Sequence, residues 1–173
     1  STLDPELGAL VREEVEAHGV DVVTDTTVTG IESGPAGLTV IGTRRGEPIR
    51  RTADLVLIVV GVRPNTDLLE RAGATLGAGR AVVVDERMRT GLPHVWAAGD
   101  GIVTHHRLLG TTYLPLGTTS HKQGRVAGEN ALGGDARFAG SVGTQVVKVF
   151  DLVAARTGLR QHEADSAGYA PTT

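Results

Sequence analysis

The chain has 173 residues, 40% of them hydrophobic, with a net charge of −3 and an isoelectric point near 6.0; that hydrophobic content excludes a disordered polymer, and the mild acidity gives no electrostatic reason to expect nucleic acid or an anionic membrane as a partner. The longest apolar run, residues 55–62, is far shorter than the roughly 20 residues of a membrane span and no signal-peptide pattern opens the chain, so a cytoplasmic protein is expected. Cysteine is absent, which excludes disulfides, thiolate metal sites and cysteine redox chemistry within these residues.

Asp4 and Pro5 suit the N-cap and first position of a helix, Leu7, Leu10, Val11 and Val15 follow helical spacing, and Gly19 stops it. Residues 20–29 alternate and are rich in β-branched side chains, which predicts a strand. Residues 38–44 and 55–60 are expected as two more, joined through a turn at Arg45-Gly46-Glu47-Pro48. The second of these, Leu-Val-Leu-Ile-Val-Val, is apolar on both sides, the pattern of a central parallel strand. Gly61 to Asn65 punctuates it, residues 67–72 suggest a helical turn, and residues 73–79 are glycine-rich. Short strands are expected at 82–85 and 95–98, then a helix over 118–132 closed by Gly133-Gly134, then a strand at 145–150. The pattern changes at Gly143, ahead of that last strand, and from Ala154 an element starts whose completion is not expected within these residues.

Two stretches carry chemistry. Gly99-Asp100 follows the strand expected at 95–98, and in open α/β sheets a glycine and an acid at the carboxyl end of a strand can admit a ligand and accept hydrogen bonds from its hydroxyls. The same two residues also suit a plain turn. Leu116, Gly117 and Thr118 lead into the helix expected at 118–132, and a helix N-terminus offers unpaired N–H groups and a positive dipole end to negative charge. Gly124 and Gly128 lie four apart on that helix at a cost of roughly 0.5–1 kcal/mol each against alanine, so a close neighbour is expected, either a ligand or a tightly packed sheet. His105 and His106 are read as solvated rather than metal-binding, because no acid cluster accompanies them. His121, Lys122 and Arg125 read as the polar face of an amphipathic helix, His162 as facing water, His18 as a helix-end residue and Trp96 as a packing residue.

The segments GVRPNT (61–66), TGLPHVWAAGD (90–100), PLGTTSHKQGRVAGENALGG (115–134) and GTQVVKVFDLVAARTGL (143–159), in this order and spacing, resemble the NADH oxidase, NADH peroxidase and coenzyme A-disulfide reductase group of FAD-dependent pyridine nucleotide-disulfide oxidoreductases, over a span from about residue 3 to the end. The resemblance implies an α/β fold class, with partial FAD/NAD(P)-binding Rossmann-like three-layer domains and the start of an α+β interface (dimerisation) domain. Residues 1–62 correspond to the second half of the NAD(P)H-binding domain, 63–138 to the returning part of the FAD-binding domain, and 139–173 to the start of the interface domain. Neither G-x-G-x-x-G fingerprint lies within these residues, so each nucleotide site is expected to be half built here.

Carried over residue by residue, the resemblance makes Asp100 the acid that hydrogen-bonds the ribityl hydroxyls of FAD, with Gly99 making room for the cofactor. Leu116, Gly117 and Thr118 become the backbone that lines the flavin pyrimidine edge, and Gly61 the glycine beside the nicotinamide of NAD(P)H. It assigns no catalytic residue and no metal ligand within these residues; the redox cysteine of the group corresponds to a position outside them. The implied activity passes hydride from NAD(P)H to flavin and then electrons to a small-molecule electron acceptor such as oxygen, peroxide or a disulfide, in a full-length protein that forms a homodimer. Two other readings stay open at this point: a cofactor-free structural module whose only role is association, and a ferredoxin-type electron-transfer reductase. KQGRVAGEN followed by GTQVVKVFD argues for the oxidase and peroxidase side over the latter.

Overall fold

A computed structural model describes residues 2–35 and 37–172. They form two compact units, one spanning Arg12–Gly61 and the other made of the residues up to Val11 together with those from Val62 onward. The opening helix α1 (Pro5–Ala17) starts at the expected proline, and Gly19 follows it with φ +80°. None of its residues is buried.

The unit Arg12–Gly61 contains a three-stranded antiparallel meander, β1 (Thr26–Gly34), β2 (Gly37–Arg44) and β3 (Glu47–Ala53), in the order β1-β2-β3. Arg45 and Gly46, both at positive φ (50° and 90°), make the two-residue connection between β2 and β3, the geometry whose twist matches that of antiparallel strands. Two expectations need correction. The strand expected at 20–29 begins only at Thr26 and runs on to Gly34, with a register shift between Val28 and Gly30. The turn at Arg45 leads into β3 and not into residues 55–60. Glu47-Pro-Ile-Arg-Arg-Thr-Ala pairs along its length although it is mostly exposed and polar, because edge strands face water and tolerate proline and charge. Residues 55–60 pair with no described residue, and Leu55, Leu57, Ile58, Val59 and Val60 are 70–89% exposed. An apolar sequence becomes a central strand only when neighbours pair with it on both sides.

The other unit is organised around a core of Ala74, Val82, Met88, Ile102 and Phe138, with Leu69, Leu76, Trp96, Val126 and Ala127 packed against it. Along the chain it contains α2 (Asp67–Arg71), the hairpin of β4 (Thr104–His106) and β5 (Gly110–Thr112), the long helix α3 (Gly117–Ala131), the hairpin of β6 (Gln145–Val149) and β7 (Leu152–Arg156), and α4 (Gln161–Ser166). The strand expected at 82–85 is reduced to single bridges, Val82 pairing in parallel with Ile102 and antiparallel with Leu76. That expected at 95–98 likewise keeps one bridge, Trp96 with Arg89. Both are held by isolated backbone bonds, such as Val82 N–H to Gly101 C=O (2.9 Å) and Ala97 N–H to Met88 C=O (3.0 Å), and not by a ladder.

The C-terminal end of α3 is fixed by a buried amide. Asn130 donates through Nδ2 to the carbonyls of Arg87 (2.9 Å) and Ala136 (2.8 Å) and accepts the Ala136 N–H at Oδ1 (2.8 Å), while Gly133 and Gly134 turn the chain away as expected. The last element also has a determinate start. Glu163 accepts the Arg160 N–H (2.9 Å) and Asp4 accepts the Gln161 N–H (3.1 Å), so two of the orphan donors of α4 are satisfied by carboxylates.

Candidate functional site

Asp100 lies on a sharp corner of the chain. Gly99 takes φ +92°, a region that L side chains rarely adopt, and a Cβ placed there would meet only Ser120, at 3.9 Å. The glycine is therefore demanded by backbone conformation more than by crowding. From the corner the Asp100 side chain projects into an exposed position, and its Oδ1 accepts a hydrogen bond from the Ser120 hydroxyl (2.5 Å). One turn further along α3, Gln123 is 1% exposed and uses both ends of its amide: Oε1 accepts the Gly99 N–H (3.2 Å) and Nε2 donates to the Thr104 hydroxyl (3.0 Å), itself 1% exposed. The corner is thus tied to α3 at two consecutive residues.

Tying the corner to α3 brings it to the start of that helix. Leu116 is the N-cap in extended conformation, and its carbonyl accepts both the Thr119 and Ser120 N–H groups (2.9 Å each). Leu116 has no side-chain group to cap this end, and no side-chain cap bond forms there among the described residues. The N–H groups of Gly117 and Thr118 belong to the first turn, where a helix has no internal acceptors to offer. Gly117 and Thr118 are exposed, and a Cβ on Gly117 would meet nothing within 4 Å among the described residues. Tyr113, just upstream, has its phenol pushed above its ordinary value, first by burial and then by the negative charge of Asp100.

Five of the six residues singled out from the sequence, Gly99, Asp100, Leu116, Gly117 and Thr118, therefore lie along one short path through Ser120. Gly61 belongs to the unit Arg12–Gly61; it is exposed, has φ +90°, and has open space where a side chain would start. Ser120 and Gln123 were not legible beforehand. Within SHKQGR they look like part of the polar face, and only the return of the chain at Thr104 and Gly99 buries the amide. The expected close neighbour of Gly124 and Gly128 is not found: both are exposed, with nothing within 4 Å of an added Cβ among the described residues.

The histidine pair divides. His105 is exposed as expected, whereas His106 is only 3% exposed, and its Nδ1 accepts the N–H groups of Leu108 (3.3 Å) and Leu109 (3.2 Å). The ring nitrogen thereby ties the turn at Leu108–Leu109 to the strand that carries His106. His106 is thus a turn-forming core residue. Trp96 packs against the core, in line with its packing role. His121, Lys122 and Arg125 are exposed on α3.

The chain matches the family model described as "Pyridine nucleotide-disulphide oxidoreductase" over residues 1–124. It is 34% identical over 169 residues to the NAD(P)H sulfur oxidoreductase (CoA-dependent) of Pyrococcus furiosus, covering 97% of this chain and 37% of that protein. Among solved structures it is similar to an NAD-dependent persulfide reductase from A. fulgidus (39% identity, TM-score 0.85, 96% of this chain and 30% of that one). It is also similar to an FAD-dependent pyridine nucleotide-disulphide oxidoreductase from Desulfovibrio vulgaris (36% identity, TM-score 0.86, 96% of this chain and 42% of that one). The chain therefore spans little more than a third of the length of the archaeal sulfur oxidoreductase it matches. These likenesses run through the α/β units that carry the Asp100 corner and the open start of α3, and the chain belongs to the pyridine nucleotide-disulphide oxidoreductase family.

Proposed function

We propose that these residues form part of an FAD-dependent NAD(P)H oxidoreductase, in which the Asp100 corner and the start of α3 hold the flavin cofactor. The observation that carries this reading is the Ser120–Asp100 bond, which places an exposed carboxylate beside an uncapped helix N-terminus with open space over Gly117. Those groups fit FAD. A carboxylate with one oxygen anchored keeps its other lone pairs for the hydroxyls of a ribityl chain, and the first-turn N–H groups of Gly117 and Thr118 suit negative charge on the pyrimidine edge of a flavin. Bound FAD supplies the two-electron chemistry between NAD(P)H and an acceptor. The protein's share is to bind and orient: Asp100 accepts hydrogen bonds from the hydroxyls, Leu116, Gly117 and Thr118 present backbone, and Gly61 lets the chain pass close to the nicotinamide.

The acceptor in this reading is a small molecule, oxygen, peroxide or a disulfide. Two of the similar proteins are named a sulfur oxidoreductase and a persulfide reductase, which supports a sulfur–sulfur bond among these. We assign residues 1–62 to the second half of an NAD(P)H-binding domain, 63–138 to the returning part of an FAD-binding domain and 139–173 to the start of an interface domain. A homodimer of the full-length protein, in the cytoplasm with its nicotinamide pool, completes the reading. The exposed Val146, Val147 and Val153 of the β6–β7 hairpin supply apolar surface for such an interface, and among the described residues no helix is long and apolar enough to cross a membrane.

In the full-length protein, Asp100→Ala should weaken FAD retention by about 10- to 100-fold, the range for losing charge-assisted hydrogen bonds to cofactor hydroxyls, while the fold persists. Flavin absorbance per polypeptide after extensive dialysis measures it. Flavin content equal to that of the unaltered protein would remove Asp100 from the site.

A further inference from the structure

Ser120 is placed to do more than complete a helix turn. A serine inside a helix ordinarily returns its single hydroxyl proton to the carbonyl four residues back, here Leu116, or gives it to solvent. In this structure the hydroxyl instead donates its hydrogen bond to Asp100 Oδ1. Ser120 is half-buried on the first full turn of α3, and Gln123, one turn on, fixes the backbone that precedes the carboxylate through the Gly99 N–H. Backbone and side chain of the acid are thereby set by two residues of the same helix face. The Ser120 bond thus holds Oδ1 of Asp100 beside the first turn of α3.

We propose that Ser120 is a positioning residue for the cofactor, acting through Asp100: it anchors Oδ1 and thereby aims Oδ2 at the hydroxyl-bearing chain of the flavin. This inference rests on the reading of Asp100 as an FAD ligand. It assigns Ser120 no part in the redox chemistry, and it gives α3 a second role besides the dipole at its N-terminus. The role requires a hydroxyl at position 120, and threonine can supply one from the same helical site.

The test uses the full-length protein stripped of flavin and titrated with FAD, with binding followed by quenching of flavin fluorescence and stability by thermal unfolding of the apoprotein. Ser120→Ala should weaken FAD binding about tenfold, the loss of one oriented charged hydrogen bond, with the unfolding temperature of the apoprotein unchanged. Ser120→Thr should restore most of that affinity. In an Asp100→Asn background, Ser120→Ala should cost less than about twofold, because the two effects share one route. Equal affinity of Ser120→Ala and the unaltered protein overturns the proposal, as does a Ser120→Ala loss of the same size with and without the Asp100 carboxylate, or a Thr variant as weak as the Ala variant. If Asp100→Asn alone leaves affinity unchanged, the reading of the site falls, a result separate from any failure of Ser120.

Discussion

At the scale of single residues, the firmest electrostatic feature is Glu163. The hydrogen-bonded guanidinium of Arg160, aided by the Arg160 backbone N–H and by Arg156, holds its carboxyl at about 2 against an ordinary 4.5, with burial opposing. A carboxyl whose folded value is depressed stabilises the fold fully above its unfolded value and loses that stabilisation as pH falls through the folded one. The contribution is on the order of 2–3 kcal/mol, present above pH 4.5 and lost between about pH 4.5 and 2. Glu163→Gln should therefore be less stable than the full-length parent at pH 7, and the gap should close toward pH 2. Urea unfolding across that pH range measures it; a constant gap would show that Glu163 does not titrate through its partners. The same scale shows what the sequence could reveal. Gly99 and Asp100 stand out through the resemblance of their segment, since a glycine–acid pair after an apolar run suits a plain turn as well. Gln123 and His106 were not legible, because the residues that bury them, Thr104 and Gly99 for one and the Leu108–Leu109 backbone for the other, depend on how a loop returns.

At the scale of elements, the C-terminal end of α3 was readable from Gly133-Gly134, and its start lies one residue before the expected Thr118. A branched side chain on Gly117 would occupy the open space over that end and hold a flavin away from the first-turn N–H groups. Gly117→Val in the full-length protein should thus lower the flavin midpoint potential or lose the cofactor, while nicotinamide binding changes little. Spectroelectrochemistry together with an NADH titration checks this, and an unaltered potential at normal flavin occupancy would place the flavin elsewhere. The strands were less legible than the helices. Hydrophobic content favoured residues 55–60 over 47–53, yet the polar segment pairs and the apolar one does not. Strand formation is a property of the pair, and β3 needs only the adjacent β2 and a two-residue turn to find its partner.

At the scale of the whole molecule, the exposed row from Leu55 to Val60 is the feature most at odds with an independent soluble life. A run of that length and hydrophobicity offers both an apolar face and unpaired backbone groups to other chains. The 173-residue chain by itself should accordingly self-associate or unfold without cooperativity, and should not consume NADH. Size-exclusion chromatography with light scattering, run beside an NADH assay, tests both parts. A monodisperse monomer with a sharp unfolding transition would overturn the first, and flavin-dependent turnover the second. The β1-β2-β3 meander carries a different consequence, one of timing. Each of its strands pairs with the next along the chain, so little loop-closure entropy opposes it and hairpins of this kind close in roughly 1–10 μs. The other unit must join the segment ending at Val11 to the segment resuming at Val62 across all of that intervening chain. The meander can therefore close on local contacts alone, whereas the Asp100 corner must wait for α3 to meet the loop that carries Gly99 and Thr104.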